Sequence, residues 1–225
     1  MGEAVLYGIP GSHAVQTGEL MLQHKGIPYR RRNFRPGPHR LLVRLRGFPG
    51  YRVPAVRFEN GRRAQNTRPL ARALDEIQPE PRLVPDDPRV AEAEEWGDVV
   101  LQQWARRMVA GAGVHDPDLL HDDAQSGRLG PLLTPTTRMR RFTARGVLIA
   151  FRVSNDQLRQ DVRDVPELLD RIDALIADGV LNGPQLNCAD FQIASSLALA
   201  DYRTDVREQM QTRPLYALVE RILPG

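Results

Sequence analysis

The chain is poor in cysteine and nearly without lysine. A single cysteine, Cys188, stands among 225 residues. That count excludes an internal disulfide framework and any Cys-x-x-Cys redox pair. No apolar run approaches the roughly 18 residues needed to span a bilayer, so no transmembrane helix is expected. The N-terminus lacks a basic patch followed by an apolar core, the mark of a secretory signal. A cytoplasmic protein is the expectation. Of 31 basic residues only Lys25 is lysine, a bias that reflects GC-rich coding rather than a binding function. Arg30, Arg31, Arg32, Arg35, Arg40, Arg44 and Arg46 crowd one region, and such a cluster can hold phosphates. Neither aromatic interleaving nor a nucleic-acid motif accompanies it. A solvated basic face is therefore preferred to nucleic-acid binding, with attraction of an anionic small molecule as an intermediate reading.

What is present is ordinary for a globular protein: 41% hydrophobic residues, 26% charged residues and a net charge of +3. The length suffices for two modest domains with their own cores. Residues 3–7 are short, apolar and β-prone, and Pro10-Gly11 ends them. Ser12 can cap a helix through Lys25, with Val15, Gly18 and Leu22 on one face and Gly26 and Pro28 as stop signals. Tyr29–Phe34 reads as a strand whose arginines predict an edge position. Val53–Phe58 and Arg62–Ala64 flank Glu59-Asn60-Gly61, and Asn-Gly is a strong hairpin signal. A helix follows over Thr67–Ile77, with Pro69 tolerated in its first turn.

Gln78–Pro88 holds four prolines and reads as a linker. Beyond it Val90, Ala93, Gly97, Val100, Leu101, Trp104 and Met108 recur at helical spacing. Gly111–Thr136 is rich in Gly, Pro and Asp and reads as a long loop. Helices are expected over 137–153, 165–178, 188–200 and 214–222. The division is residues 1–78, a linker at 79–87, and an all-helical domain at 88–225. In Asn187-Cys188-Ala189-Asp190 an N-cap and an acid at the third helical position form a capping box before an apolar run. Cys188 is expected to be a buried small residue rather than a redox centre. His115, Asp116, His121, Asp122 and Asp123 fit no metal-ligand spacing, and metal binding is rejected.

Five segments together resemble one family. The box Asn187–Asp190 resembles the Ser/Thr-x-x-Asp box in the helical domain of glutathione transferases. Val53-Pro54-Ala55-Val56 resembles that family's Val-Pro strand start, and Asn66-Thr67-Arg68-Pro69-Leu70 its (Gln/Glu/Asp)-(Ser/Thr)-Arg-Ala-Ile turn. Leu6-Tyr7 with Pro10-Gly11-Ser12, and Lys25-Gly26-Ile27-Pro28-Tyr29, resemble the two ends of its first helix. The resemblance covers nearly the whole chain. It implies a thioredoxin-like α/β domain, ordered βαβ-α-ββα, followed by an all-α domain, and a homodimer.

The same resemblance implies roles. Such a protein binds glutathione, or another low-molecular-weight thiol, and lowers its pKa so that thiolate attacks an electrophilic small molecule. Ser12 is preferred as the hydroxyl that supports the thiolate, because the first helix's dipole adds to its hydrogen bond. Tyr7 is the alternative. His13 is read as an exposed, incidental neighbour. Val53 is implied to offer its backbone to the thiol peptide before a cis Pro54, and Thr67 to bind the γ-glutamyl carboxylate at a helix N-terminus. Asn66 stands where the family has Gln or an acid. Trp104, Arg107 and Met108, with Trp96 behind them, are candidates for the second-substrate pocket. Three functions stay open: a thiol transferase, a thiol-dependent isomerase of the maleylpyruvate type, and a non-catalytic binding protein.

Overall fold

Strand β1, Ala4–Gly8, is buried along its whole length, which requires cover on both faces of its sheet. The period of two sends Ala4 and Leu6 one way and Val5 and Tyr7 the other. Ala4 and Leu6 join the main core with Val15, Val56, Leu70 and Leu74. Val5 and Tyr7 join a smaller core with Val43, Phe48 and Ala55. The computed structural model describes residues 2–120, 128–129 and 137–224. Four strands run in the order β2-β1-β3-β4. β2 (Tyr29–Asn33) is parallel to β1, β3 (Ala55–Arg57) is antiparallel to β1, and β4 (Arg63–Gln65) is antiparallel to β3. β2 is an edge, as its arginines predict, and Arg31 pairs with Glu19 at 2.6 Å. Regular pairing of β3 begins only at Ala55, after Pro54, which has no N–H to give a ladder.

Helices α1 (His13–His24) and α3 (Thr67–Ile77) lie on the main core through Val15, Leu22, Leu70 and Leu74. α2 (His39–Leu45) covers the other face through Val43. The sequence reading left that helix without bounds. The architecture is thus a thioredoxin-like α/β unit followed by a helical remainder. α4 (Pro88–Trp96) starts on an Asp87 cap that accepts from the Arg89 amide. It continues through a π-helical turn at Gly97–Leu101 into α5 (Gln102–His115).

The expected loop at Gly111–Thr136 is corrected at its start, because α5 runs on to His115. Its glycines are packing residues. A Cβ on Gly111 would come within 3.0 Å of Leu158 Cδ2, and one on Gly113 within 3.1 Å of the Ala144 Cβ. The rest of that expectation, with His121, Asp122 and Asp123, falls mainly outside the described residues.

Next come α6 (Thr137–Ala150), α7 (Asn155–Arg163), α8 (Val165–Ala177), α9 (Cys188–Ala200), α10 (Thr204–Met210) and α11 (Pro214–Ile222). The sequence reading missed α7 and α10. In α7 only Asp161 is buried, so no apolar stripe marks it. α9 is buried on every side and is the centre of the main core. Its capping box forms as expected: Asn187 Oδ1 accepts from the Ala189 amide at 2.9 Å and Asp190 Oδ2 from the Asn187 amide at 2.8 Å. Cys188 is buried, and burial pushes its thiol well above the ordinary range. Among the described residues no helix is long and apolar enough to cross a membrane, and no group of metal-type side chains converges.

Candidate functional site

A glycine sets how closely the first helix approaches the rest of the site. A Cβ on Gly18 would lie 3.1 Å from Leu70 Cδ2 and 3.1 Å from the Pro54 Cβ. Its absence lets α1, with Ser12 at its mouth, settle directly on Pro54 and α3. Ser12 is half-buried and caps α1, its Oγ accepting from the Val15 amide at 3.4 Å. Its own O–H remains a donor. The Val53–Pro54 bond is cis, as expected. Gln65 holds the approach to it, accepting from the Gly50 amide at 2.9 Å and donating to the Arg52 carbonyl at 2.8 Å. The Pro54 carbonyl accepts from the Asn66 amide at 2.9 Å, which ties the bend to the start of α3.

The start of α3 is poorly satisfied. Asn66 holds φ 70° and ψ 162°, a region that costs a side-chain-bearing residue about 1–3 kcal/mol and that clusters at ligand sites. Its side chain makes no capping bond. Thr67 is 3% exposed, and its Oγ1 has no hydrogen-bond partner. The first amides of a helix have no intrahelical acceptor, and they attract anions. An open cavity of about 360 Å³ lies here, lined by Asn66, Arg68, Pro69, Arg72 and Asp98. Burial raises the Asp98 carboxyl above its ordinary range, while Arg68 opposes the rise. Arg72 is held by Glu94, which is buried.

His13 is not exposed. It is 3% accessible, with the Gln102 backbone of α5 at hydrogen-bond distance and the Arg106 charge acting on it. Burial, and then the Arg106 charge, lowers its pKa well below the ordinary value, so it is neutral near pH 7. Its Nε2 has no partner. Tyr7 lies in the smaller core, 1% exposed, stacked on Phe34 at 5.7 Å and edge-on to Phe48 at 5.9 Å.

Of the second-substrate candidates, Trp104 and Met108 are corrected. Trp104 and Met108 are each 1% exposed and belong to the main core, so neither side chain can line an open pocket. The Trp104 Nε1–H donates to the Asp161 carbonyl at 3.0 Å. Arg107 is clamped on the Asp161 carboxylate at 2.6 and 2.7 Å. Trp96 is buried with Arg171 over its ring at 4.6 Å. Sequence reasoning missed Arg68, Arg72, Asp98 and Arg106. Charged side chains on helices carry no periodic signal that separates a cleft from solvent, so only their neighbours identify them.

Residues 6–82 match the model of the glutathione S-transferase N-terminal domain. No curated protein matches the sequence. Among solved structures, the chain is similar to a glutathione S-transferase of Ceriporiopsis subvermispora in complex with glutathione. That match has a TM-score of 0.69 and 16% identity, over 97% of each chain. It is also similar to a GST-like protein from Pseudomonas syringae, with a TM-score of 0.66 and 19% identity over 99% of this chain and 67% of that one. A glutathione S-transferase from Rhodospirillum rubrum gives 0.63 and 20% over 96% and 87%. At these identities the likeness is one of fold.

Proposed function

From a chain whose residues 6–82 belong to the glutathione S-transferase N-terminal domain family, and which takes the glutathione S-transferase fold, we propose a thiol transferase. It would add glutathione, or a related low-molecular-weight thiol, to an electrophilic carbon. The thiolate sulfur forms the new bond to carbon, and the leaving group departs with its electron pair. The observation that carries this reading is the start of α3, where Thr67 Oγ1 is buried without a partner and Asn66 offers no cap. A carboxylate of the thiol peptide would satisfy both the hydroxyl and the free amides. Val53, half-buried just before the paired part of β3, would present its backbone to the peptide as an added strand does.

Ser12 is the favoured support for the thiolate. Its O–H is free to donate and stands at the positive end of α1, whereas Tyr7 is enclosed between Phe34 and Phe48. A donor acting on the reacting charge is worth about 10²–10³ in rate. Ser12→Ala should therefore lower turnover of 1-chloro-2,4-dinitrobenzene by that factor, with Tyr7→Phe close to wild type. The reverse pattern would transfer the role to Tyr7. No turnover with glutathione or any other cellular thiol would leave a binding protein on this fold.

A homodimer is part of the proposal. The π-helical turn leaves Val99 and Val100 exposed, an apolar pair that a second copy would cover. Sedimentation at micromolar concentration tests it, and a monomer would remove this element alone.

A further inference from the structure

Two adjacent arginines of α5 end in opposite surroundings. Arg107 is bidentate on Asp161, the strongest arrangement open to a guanidinium. Arg106 has no carboxylate at ion-pair distance among the described residues. It donates from Nη1 to Gln103 Oε1 at 2.7 Å and from Nη2 to Gln102 Oε1 at 3.3 Å. Both acceptors are neutral amides of its own helix, which leave the charge uncancelled. Among the described residues its guanidinium donors have no hydrogen-bond partner beyond these two amides. The Phe151 ring, half exposed, lies 4.6 Å from its Cζ and forms an apolar wall on one face.

The surroundings add positive charge instead of removing it. Arg106 is partly buried, and the charges of Arg52 and Arg107 act on it in the same sense as that burial. Together they push its pKa down to about 10, with Asp98 the one opposing charge. Asp98 is shared, since it also answers to Arg68 and Arg52, and it lines the cavity beside Asn66. The charge of Arg106 also acts on the buried, neutral His13, the residue after Ser12. Arg106 is thus coupled by charge both to His13, beside the helix mouth proposed to hold the sulfur, and to Asp98, which lines the cavity. A guanidinium so placed, with amides as its only acceptors, is complementary to an anion.

We propose that Arg106 is the subsite for a carboxylate carried by the second substrate, so that the enzyme acts on acidic electrophiles. This rests on the thiol-transferase reading above. The anchors proposed for the thiol peptide are at Val53 and the start of α3, whereas Arg106 belongs to α5, in the helical part, with its charge acting on His13. Phe151 would take the apolar body of the same substrate.

The test compares two conjugates that differ by one carboxylate, S-benzylglutathione and S-(4-carboxybenzyl)glutathione, by titration calorimetry. Wild type should bind the carboxylated conjugate about tenfold more tightly, the scale of a charge-assisted hydrogen bond. Arg106→Gln should abolish that preference while retaining the affinity for S-benzylglutathione. Arg106→Lys should keep part of it, and serves alone if the glutamine variant does not fold. Equal loss for both conjugates would assign Arg106 to the thiol peptide and overturn the proposal, as would an unchanged preference. If wild type bound neither conjugate, the thiol-transferase reading would fail by itself. Titration with phthalate would then judge the anion site: saturable binding lost in Arg106→Gln keeps it, and no binding removes it.

Discussion

The two ends of α1 are built on opposite terms. At its C-terminal end the polar groups are used up. The only lysine of the chain, Lys25, is fully buried with its ammonium 2.5 Å from Asp75 Oδ1 and 2.6 Å from the Gln78 carbonyl, and the Pro79 carbonyl is the third acceptor. Three acceptors around one point meet the three donors of an ammonium, which the planar fork of an arginine could not reproduce. Gln78 returns a bond to the Lys25 carbonyl at 2.6 Å, and Asp75 also accepts from the Leu83 and Val84 amides. At the N-terminal end the His13 Nε2 and Thr67 Oγ1 are buried without partners, Asn66 is strained, and Arg106 has only amides. One end is finished by the fold. The other keeps buried polar groups that the described residues leave unsatisfied.

Lys25→Met is the strongest challenge to that contrast. It leaves the Asp75 carboxylate without its cation, and breaking a largely buried pair costs about 3 kcal/mol or more. Urea unfolding should show this loss, with thiol affinity of the folded variant preserved. If the variant instead kept its stability and lost thiol affinity, the contrast between the two ends would be wrong.

Thr67→Val probes the other end. The variant has the same shape and removes a hydroxyl that has no partner, so stability should hold or rise by up to about 1 kcal/mol. Affinity for S-benzylglutathione should fall about tenfold, the value of one hydrogen bond to a charged group. A loss of stability instead would make Thr67 part of the scaffold.

Asn187→Ala gives a reference for a cap that the fold fully uses. It should cost about 1 kcal/mol on unfolding, with thiol binding unaltered. A variant that kept its stability but lost affinity would move Asn187 into the site.

The smallest effect concerns pH. The folded-state pKa of His13 lies well below 6.5, so the unfolded chain takes up this proton first as pH falls. Its contribution is present above 6.5 and is lost below it. Wild type should therefore lose stability from about pH 6.5 downward, and His13→Gln should show a shallower slope there. The carboxyls of Asp98 and Asp190, raised by burial, act in the opposite sense in both proteins, so the difference between the two slopes isolates the histidine. Equal slopes would mean that His13 is accessible to water.

Local signals located most of the fold. Asn60-Gly61 marked the hairpin, where Gly61 has φ 81°, and Gly26, with φ 62°, marked the end of α1. The cap at Ser12 and the box at Asn187 and Asp190 form as their spacing indicates. The failures have a common cause. Gly111 and Gly113 were read as loop formers, yet they lie inside α5, where Leu158 and Ala144 press against them. α7 escaped notice because it is held by a polar contact, Asp161 with Arg107, and not by an apolar stripe.

What the sequence determined by itself is the set of local choices: turns, caps, strand alternation, and the order of segments that resembles a glutathione transferase. Each of these depends on residues within one or two turns of one another. Only the tertiary structure decided the states of the side chains. It enclosed Tyr7 and left Ser12 at a helix mouth, buried His13 under α5, and put Trp104 and Met108 in the core. It also separated two arginines that the sequence cannot tell apart, giving Arg107 a carboxylate and Arg106 none among the described residues. The partner that decides their difference, Asp161, comes from a helix 54 residues further along the chain. A charge's role depends on what surrounds it, and those surroundings exist only once distant segments have packed.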